Sequence, residues 1–249
     1  MINLKSKEEI EIMRRAGKVV ARVLDLVGET DLEGMTTSEL DRLIEECIRS
    51  QGSVPGFKGY QGFPAASCIS INEEVVHGIP GKRVMKSGDI VSVDVGSIVD
   101  GYYGDSARTF AVGEISDEKA KLMEWTKKSL MAGVDKARKD DKLGAISSAV
   151  QQVAEGQGYG VVRRLVGHGI GRQLHEDPQV PNFGLPNDGP VLQAGMVLAI
   201  EPMINMGTAD VKTMPDGWTE VTADGQPSAH FEHTVVITAG GDADILTIA

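Results

Sequence analysis

The sequence predicts an α/β (α+β) protein made of two pseudo-symmetric halves, about residues 1–112 and 113–249, packed around one shared sheet. Three observations predict it. The chain runs helices, strands, helices, strands. Gly88-Asp89-Ile90-Val91-Ser92-Val93-Asp94 and Gly195-Met196-Val197-Leu198-Ala199-Ile200-Glu201 share one design, a glycine, a mostly apolar strand and a terminal carboxylate. Their surroundings repeat too: His175 follows His77 by 98 residues, Ile146 follows Leu40 by 106 and Gly195 follows Gly88 by 107. No proline-rich or serine-rich linker separates the halves, so residues 1–249 read as a single domain.

Each element has a local cause. Ser6-Lys7-Glu8-Glu9 is a capping box, and Ile10, Met13, Val20, Leu24 and Val27 follow on one helical face. A second box, Thr36 to Glu39, opens a helix expected to run to about Cys47. Glycine and proline then punctuate short strands up to about Val112. Helices return from Asp117 to about Ala154, and strands and turns fill the rest.

Composition narrows the function. The 249 residues carry 25 Lys+Arg against 36 Asp+Glu, a net charge of −11, which removes the long-range attraction to phosphate that nucleic-acid binding relies on. With 41% hydrophobic and 24% charged residues the chain reads as soluble and globular, and no apolar run approaches the roughly 18 residues of a membrane span. The first ten residues are too charged for a signal peptide, and Cys47 and Cys68 are too few for a disulfide framework, so a reducing cytoplasm is expected.

The chemistry gathers around carboxylates in apolar strands. Asp100-Gly101 is a favoured two-residue hairpin turn, which pairs Val99 with Tyr102 and sets Asp105 opposite Gly96. Alternation puts Asp94 on the same face as Gly96, so two carboxylates converge over a residue with no side chain, and the space above Gly96 is expected to hold a cation. Glu201 and Glu232 end or open similarly apolar strands. Four carboxylates at close range cannot all ionise without a counter-charge, and metal ions supply one. With one or two histidines the set suits two divalent ions. Gly167-His168-Gly169-Ile170-Gly171 lacks the spacing of a dinucleotide-binding loop.

Val166 to Gly171, His175-Glu176-Asp177-Pro178, Ile200-Glu201-Pro202-Met203, Phe231-Glu232-His233-Thr234 and the pair Asp94/Asp105 closely resemble type I methionine aminopeptidase, over essentially the whole chain. The resemblance implies the pita-bread fold, a curved, mainly antiparallel sheet with helices on its outer face. It implies Asp94, Asp105, His168, Glu201 and Glu232 as ligands of two divalent ions (cobalt, manganese or iron, with zinc also suited), Asp105 and Glu232 bridging. It further implies His77 and His175 as substrate contacts, and Phe57, Tyr60, Phe63, Cys68, Leu174 and Trp218 as the methionine pocket. Leu174 stands where an aromatic residue is common, Phe57 where a smaller one is, and His230 where glutamine is usual; His230 is expected beside the ligands rather than among them. The implied reaction removes an N-terminal methionine, preferring a small second residue, by attack of metal-activated hydroxide on the first peptide bond. Glu201 would be the general base, His175 would stabilise the oxyanion and His77 would position the backbone. The substrate would be a peptide or nascent chain met by a monomer, without nucleic acid or membrane; transient ribosome association suits such a substrate, but no basic patch argues for it. An X-Pro aminopeptidase usually carries an extra N-terminal domain, whereas here the first helix begins at about Ser6. A fold relative that only binds, having lost its site, would lack these ligands, and the type II enzyme carries a helical insert for which His175 to Glu201 leaves no room.

Overall fold

A computed structural model describes residues 2–248. Along the chain lie α1 (Lys7–Glu29), α2 (Thr37–Ser50), β1 (Val54–Pro55), β2 (Ser67–Ile71), β3 (Glu74–Val76), β4 (Ile90–Val99), β5 (Tyr102–Ala111), α3 (Asp117–Asp135) and α4 (Gly144–Glu155). The remaining strands are β6 (Gly160–Val161), β7 (Gly167–Gly169), β8 (Glu176–Val180), β9 (Val197–Ile200), β10 (Met203–Asn205), β11 (Val211–Thr213), β12 (Glu220–Thr222), β13 (Ser228–His230), β14 (His233–Ile237) and β15 (Ala243–Ile245).

Both capping boxes form. Ser6 Oγ accepts from Glu9 N while Glu9 Oε2 accepts from Ser6 N at 2.8 Å, and Thr36 and Glu39 repeat the exchange. α2 runs one turn past Cys47, to Ser50, and ends where Gly52 turns at φ 72°. The strands before Val112 are not all short: β4 and β5, ten residues each, make a hairpin closed by Asp100 and Gly101, both at positive φ, with Gly96 opposite Asp105 as the turn predicts.

The shared sheet is interrupted. β4 carries β5 on one side and β1 and β2 on the other, while β15, β14, β9, β7 and β8 form a second ladder in that order. Two three-stranded ladders, β13-β10-β6 and β11-β12-β3, complete the set, and every pairing is antiparallel. Each large ladder buries its own helix pair: Leu24, Leu40, Ile44 and Ile48 of α1 and α2 meet Val91, Val93 and Val95 of β4, and Leu130, Val134 and Ile146 of α3 and α4 meet Leu198, Ile200, Val235 and Ile237. Side chains stitch the two ladders together along β5. Ser106 Oγ donates to the Glu232 carbonyl at 2.6 Å and Thr234 Oγ1 to the Asp105 carbonyl at 2.7 Å, while Thr109 Oγ1 donates to the His230 carbonyl at 2.8 Å and so ties β5 to the β13-β10-β6 ladder. The seam therefore runs beside two of the carboxylates. Among the described residues no helix is long and apolar enough to cross a membrane.

Candidate metal centre and substrate pocket

The seam opens into a cavity of about 200 Å³. Its lining contains every site residue expected from sequence: Asp94, Asp105, His168, Glu201, Glu232, His77, His175, Phe57, Tyr60, Phe63, Cys68, Leu174 and Trp218, with Gln61 as an unforeseen fourteenth. β4 and β5 supply Asp94 and Asp105, β7 supplies His168, and Glu201 and Glu232 stand at the ends of the paired strands β9 and β14.

Asp105, His168 and Glu232, all buried, each bring one ligand atom within 4.8 Å of the others. Glu201 Oε1 lies 3.4 Å and Asp105 Oδ2 3.9 Å from His168 Nε2. Burial pushes the Asp94 carboxyl up to about 7. Burial, then the charges of Asp94 and Glu201, lifts Asp105 well above the carboxylate range; Glu201 is raised by burial and then by Asp94, and Glu232 by burial and then by Asp105, Glu201 and Asp94. Neither Lys nor Arg lines the cavity. Asp94 Oδ1, Asp105 Oδ1 and Glu232 Oε1 are buried without a hydrogen-bond partner. His168 Nδ1 lies 2.9 Å from the Gly169 carbonyl, which can only accept, so the proton sits on Nδ1 and Nε2 presents its lone pair to the carboxylates. Burial, followed by the neighbouring His175, lowers this imidazole to about 3, keeping it neutral. Orphaned carboxylate oxygens around a neutral imidazole nitrogen fit a divalent cation.

The expected space above Gly96 is filled. A Cβ placed on Gly96 would lie 2.5 Å from Phe57 Cε1 and 2.8 Å from its Cδ1, so the Phe57 ring rests on the glycine where a cation was expected. Strand pairing fixes which face Gly96 presents but not which distant side chain packs on it. The cation-binding atoms gather beyond it, toward His168 and Glu232.

The other end of the cavity is apolar. Phe63 and Trp218 meet edge to face at 5.1 Å, Leu174 and Phe57 are buried, and Cys68 sits directly across from Asp94 in the ladder. Burial, then the Asp94 charge, raises the Cys68 thiol, so the sulfur is a neutral, polarizable wall. His77, at φ 60°, and His175 flank the mouth, and the His175 ring meets that of His168 edge to face at 4.3 Å. His230 is buried with both ring nitrogens unpartnered, its Nε2 3.9 Å from Glu201 Oε2; it stands beside the ligand set, outside the cavity lining. Sequence reasoning missed Gln61, whose signal was its place next to Tyr60 between Gly59 and Gly62.

The sequence profile of metallopeptidase family M24 matches residues 11–239, and the chain belongs to that family of metallo-hydrolases. Methionine aminopeptidases are among its full-length relatives there. That of Clostridium perfringens is 54% identical over 248 residues, covering 100% of this chain and 99% of its own. The crystal structure of the methionine aminopeptidase of Thermotoga maritima superposes with a TM-score of 0.98 at 46% identity, covering 100% of both chains, so the pita-bread fold expected from sequence is the one observed. A prolidase from Pyrococcus furiosus shares the fold alone, at 24% identity and a TM-score of 0.79, with this chain spanning 65% of its length.

Proposed function

We propose that the protein is a dinuclear metallo-aminopeptidase that removes the N-terminal methionine from nascent or short peptides, preferring a small second residue. One observation carries the reading: a cluster of orphaned carboxylate oxygens and a neutral imidazole nitrogen shares a cavity with an apolar, aromatic and sulfur-bearing wall. The relatives' names and the prolidase's low identity favour methionine over X-Pro specificity.

Asp94, Asp105, His168, Glu201 and Glu232 would hold two divalent ions, cobalt, manganese or iron, with zinc also suited. When bound, such ions supply Lewis acidity to the scissile carbonyl and lower the pKa of a water molecule. The chain's own groups do the rest. The wall formed by Phe57, Tyr60, Phe63, Cys68, Leu174 and Trp218 receives the thioether side chain, whose soft sulfur suits aromatic and thiol neighbours. His77, turned in at a left-handed backbone position, holds the peptide backbone at the mouth. Glu201 accepts the proton of the attacking water and passes it to the leaving amine. His175 donates to the carbonyl oxygen as negative charge develops there, a role that typically matters by about 10²–10³ in rate for one donor. The two halves act as one catalytic domain, a monomer working in the cytoplasm.

Glu201→Gln tests the base: a large loss of kcat is expected, and retention of most kcat with metal still bound would contradict it. Peptides beginning Met, Leu and Ala test the pocket, and equal rates would contradict a methionine site.

A further inference from the structure

A neutral imidazole has one N–H and one lone pair, and only its N–H can stabilise an oxyanion. An imidazole of ordinary pKa is mostly neutral above about pH 7, and there the His175 tautomer decides whether the ring helps or repels the developing charge. Tyr60 and Gln61 are the groups that set this tautomer. Tyr60 Oη lies 2.7 Å from His175 Nδ1, and Gln61 Nε2 donates to the same Tyr60 oxygen at 3.2 Å. A Tyr60 hydroxyl that accepts from Gln61 and donates along this contact leaves the His175 proton on Nε2. The Tyr60 and His175 rings lie 5.4 Å apart, tilted at 54°.

We propose that Gln61 and Tyr60 form a hydrogen-bonded chain that holds the His175 proton on Nε2, making Tyr60 a positioning residue for the oxyanion donor as well as part of the methionine pocket. This rests on the reading of His175 given above. Gln61 sits at φ 47° between Gly59 and Gly62, both also at positive φ, in a tight turn next to the tyrosine. The arrangement couples the two halves of the reaction, because a residue that lines the methionine pocket also orients the group facing the scissile carbonyl. A Tyr60 that only lined the pocket would need no hydroxyl.

The test is a double-mutant cycle with Tyr60→Phe and His175→Ala on the metal-loaded enzyme, reading kcat and KM for a Met-Ala-Ser peptide. A parallel ¹⁵N NMR measurement reads the His175 ring in the zinc-loaded, diamagnetic protein. Losing such an orienting partner should lower kcat about tenfold with KM little changed, and the same substitution should cost nothing further once His175 is alanine. Gln61→Ala should act in the same direction but less. The NMR spectrum should show Nε2 protonated in the wild type and mixed tautomers in Tyr60→Phe. The proposal is overturned if Tyr60→Phe raises KM and spares kcat, if its cost is the same with and without His175, or if the wild-type ring is protonated on Nδ1. The NMR result decides the chain even for an enzyme that cleaves no methionyl peptide, so failure here is distinct from failure of the functional reading.

Discussion

Gly96→Ala probes how the pocket wall is fixed to the sheet. The added methyl would sit 2.5, 2.8 and 3.2 Å from Cε1, Cδ1 and Cζ of Phe57, where carbon atoms prefer about 3.5–4.0 Å. The ring must retreat by about 1 Å. It cannot do so freely, because Phe57 is buried in the same cluster as Phe63, Cys68 and Leu174. Overpacking of this kind costs about 1–3 kcal/mol, which for a chain of this size lowers Tm by about 2–4 °C per kcal/mol. The displaced ring also intrudes on the methionine pocket, so KM for methionyl peptides should rise. Phe57→Val in the same chain makes room for the methyl, and the two changes should couple favourably by at least about 0.5 kcal/mol. Denaturant unfolding of the two single variants and the double variant measures this. Simple additivity, or a Gly96→Ala protein with unchanged Tm and KM, would refute the contact.

Three further outcomes follow from the same structure. Adding manganese or cobalt to chelated protein at about a hundred times its Kd should stabilise the fold by about 2.7 kcal/mol, seen as a thermal shift of about 5–11 °C; Glu232→Gln should lose that response, and an intact shift would remove Glu232 from the ligand set. The Lys5–Glu176 ion pair, 2.5 Å long with side chains only 6% and 8% exposed, anchors the N-terminal segment beside His175; Lys5→Met should cost about 3 kcal/mol or more in urea unfolding by stranding the carboxylate, and Lys5→Met/Glu176→Gln should recover part of it. His230 is lowered by burial from 6.5 to about 3, so between those values the unfolded chain binds the proton that the folded one refuses, and stability falls as pH falls through that window. His230→Gln should lose less stability than the wild type between about pH 7 and about pH 5, and identical losses would contradict the burial argument.

What the sequence made legible was local. Ser6/Glu9 and Thr36/Glu39 are complete capping signals, and Asp100-Gly101 dictates a two-residue turn, from which the pairing of Gly96 with Asp105 follows by counting. The carboxylates could be read because each is the wrong residue for an apolar strand unless something answers its charge. What stayed hidden depends on contacts between distant segments. No periodicity says that Phe57 fills the space over Gly96, or that the expected sheet is split into separate ladders joined along β5 by Ser106, Thr109 and Thr234. Gln61 was missed for a different reason: its place beside Tyr60 between two glycines looks like any turn until its amide is found donating to the Tyr60 hydroxyl.

The most direct test of the account is hydrolysis of a Met-Ala-Ser peptide by the chelated enzyme and after restoration with one divalent ion at a time, beside Leu-Ala-Ser as control. The account predicts no cleavage after chelation, recovery with cobalt, manganese or iron, and strong preference for methionine. Undiminished cleavage by the chelated protein, or equal rates on the two peptides, would contradict it.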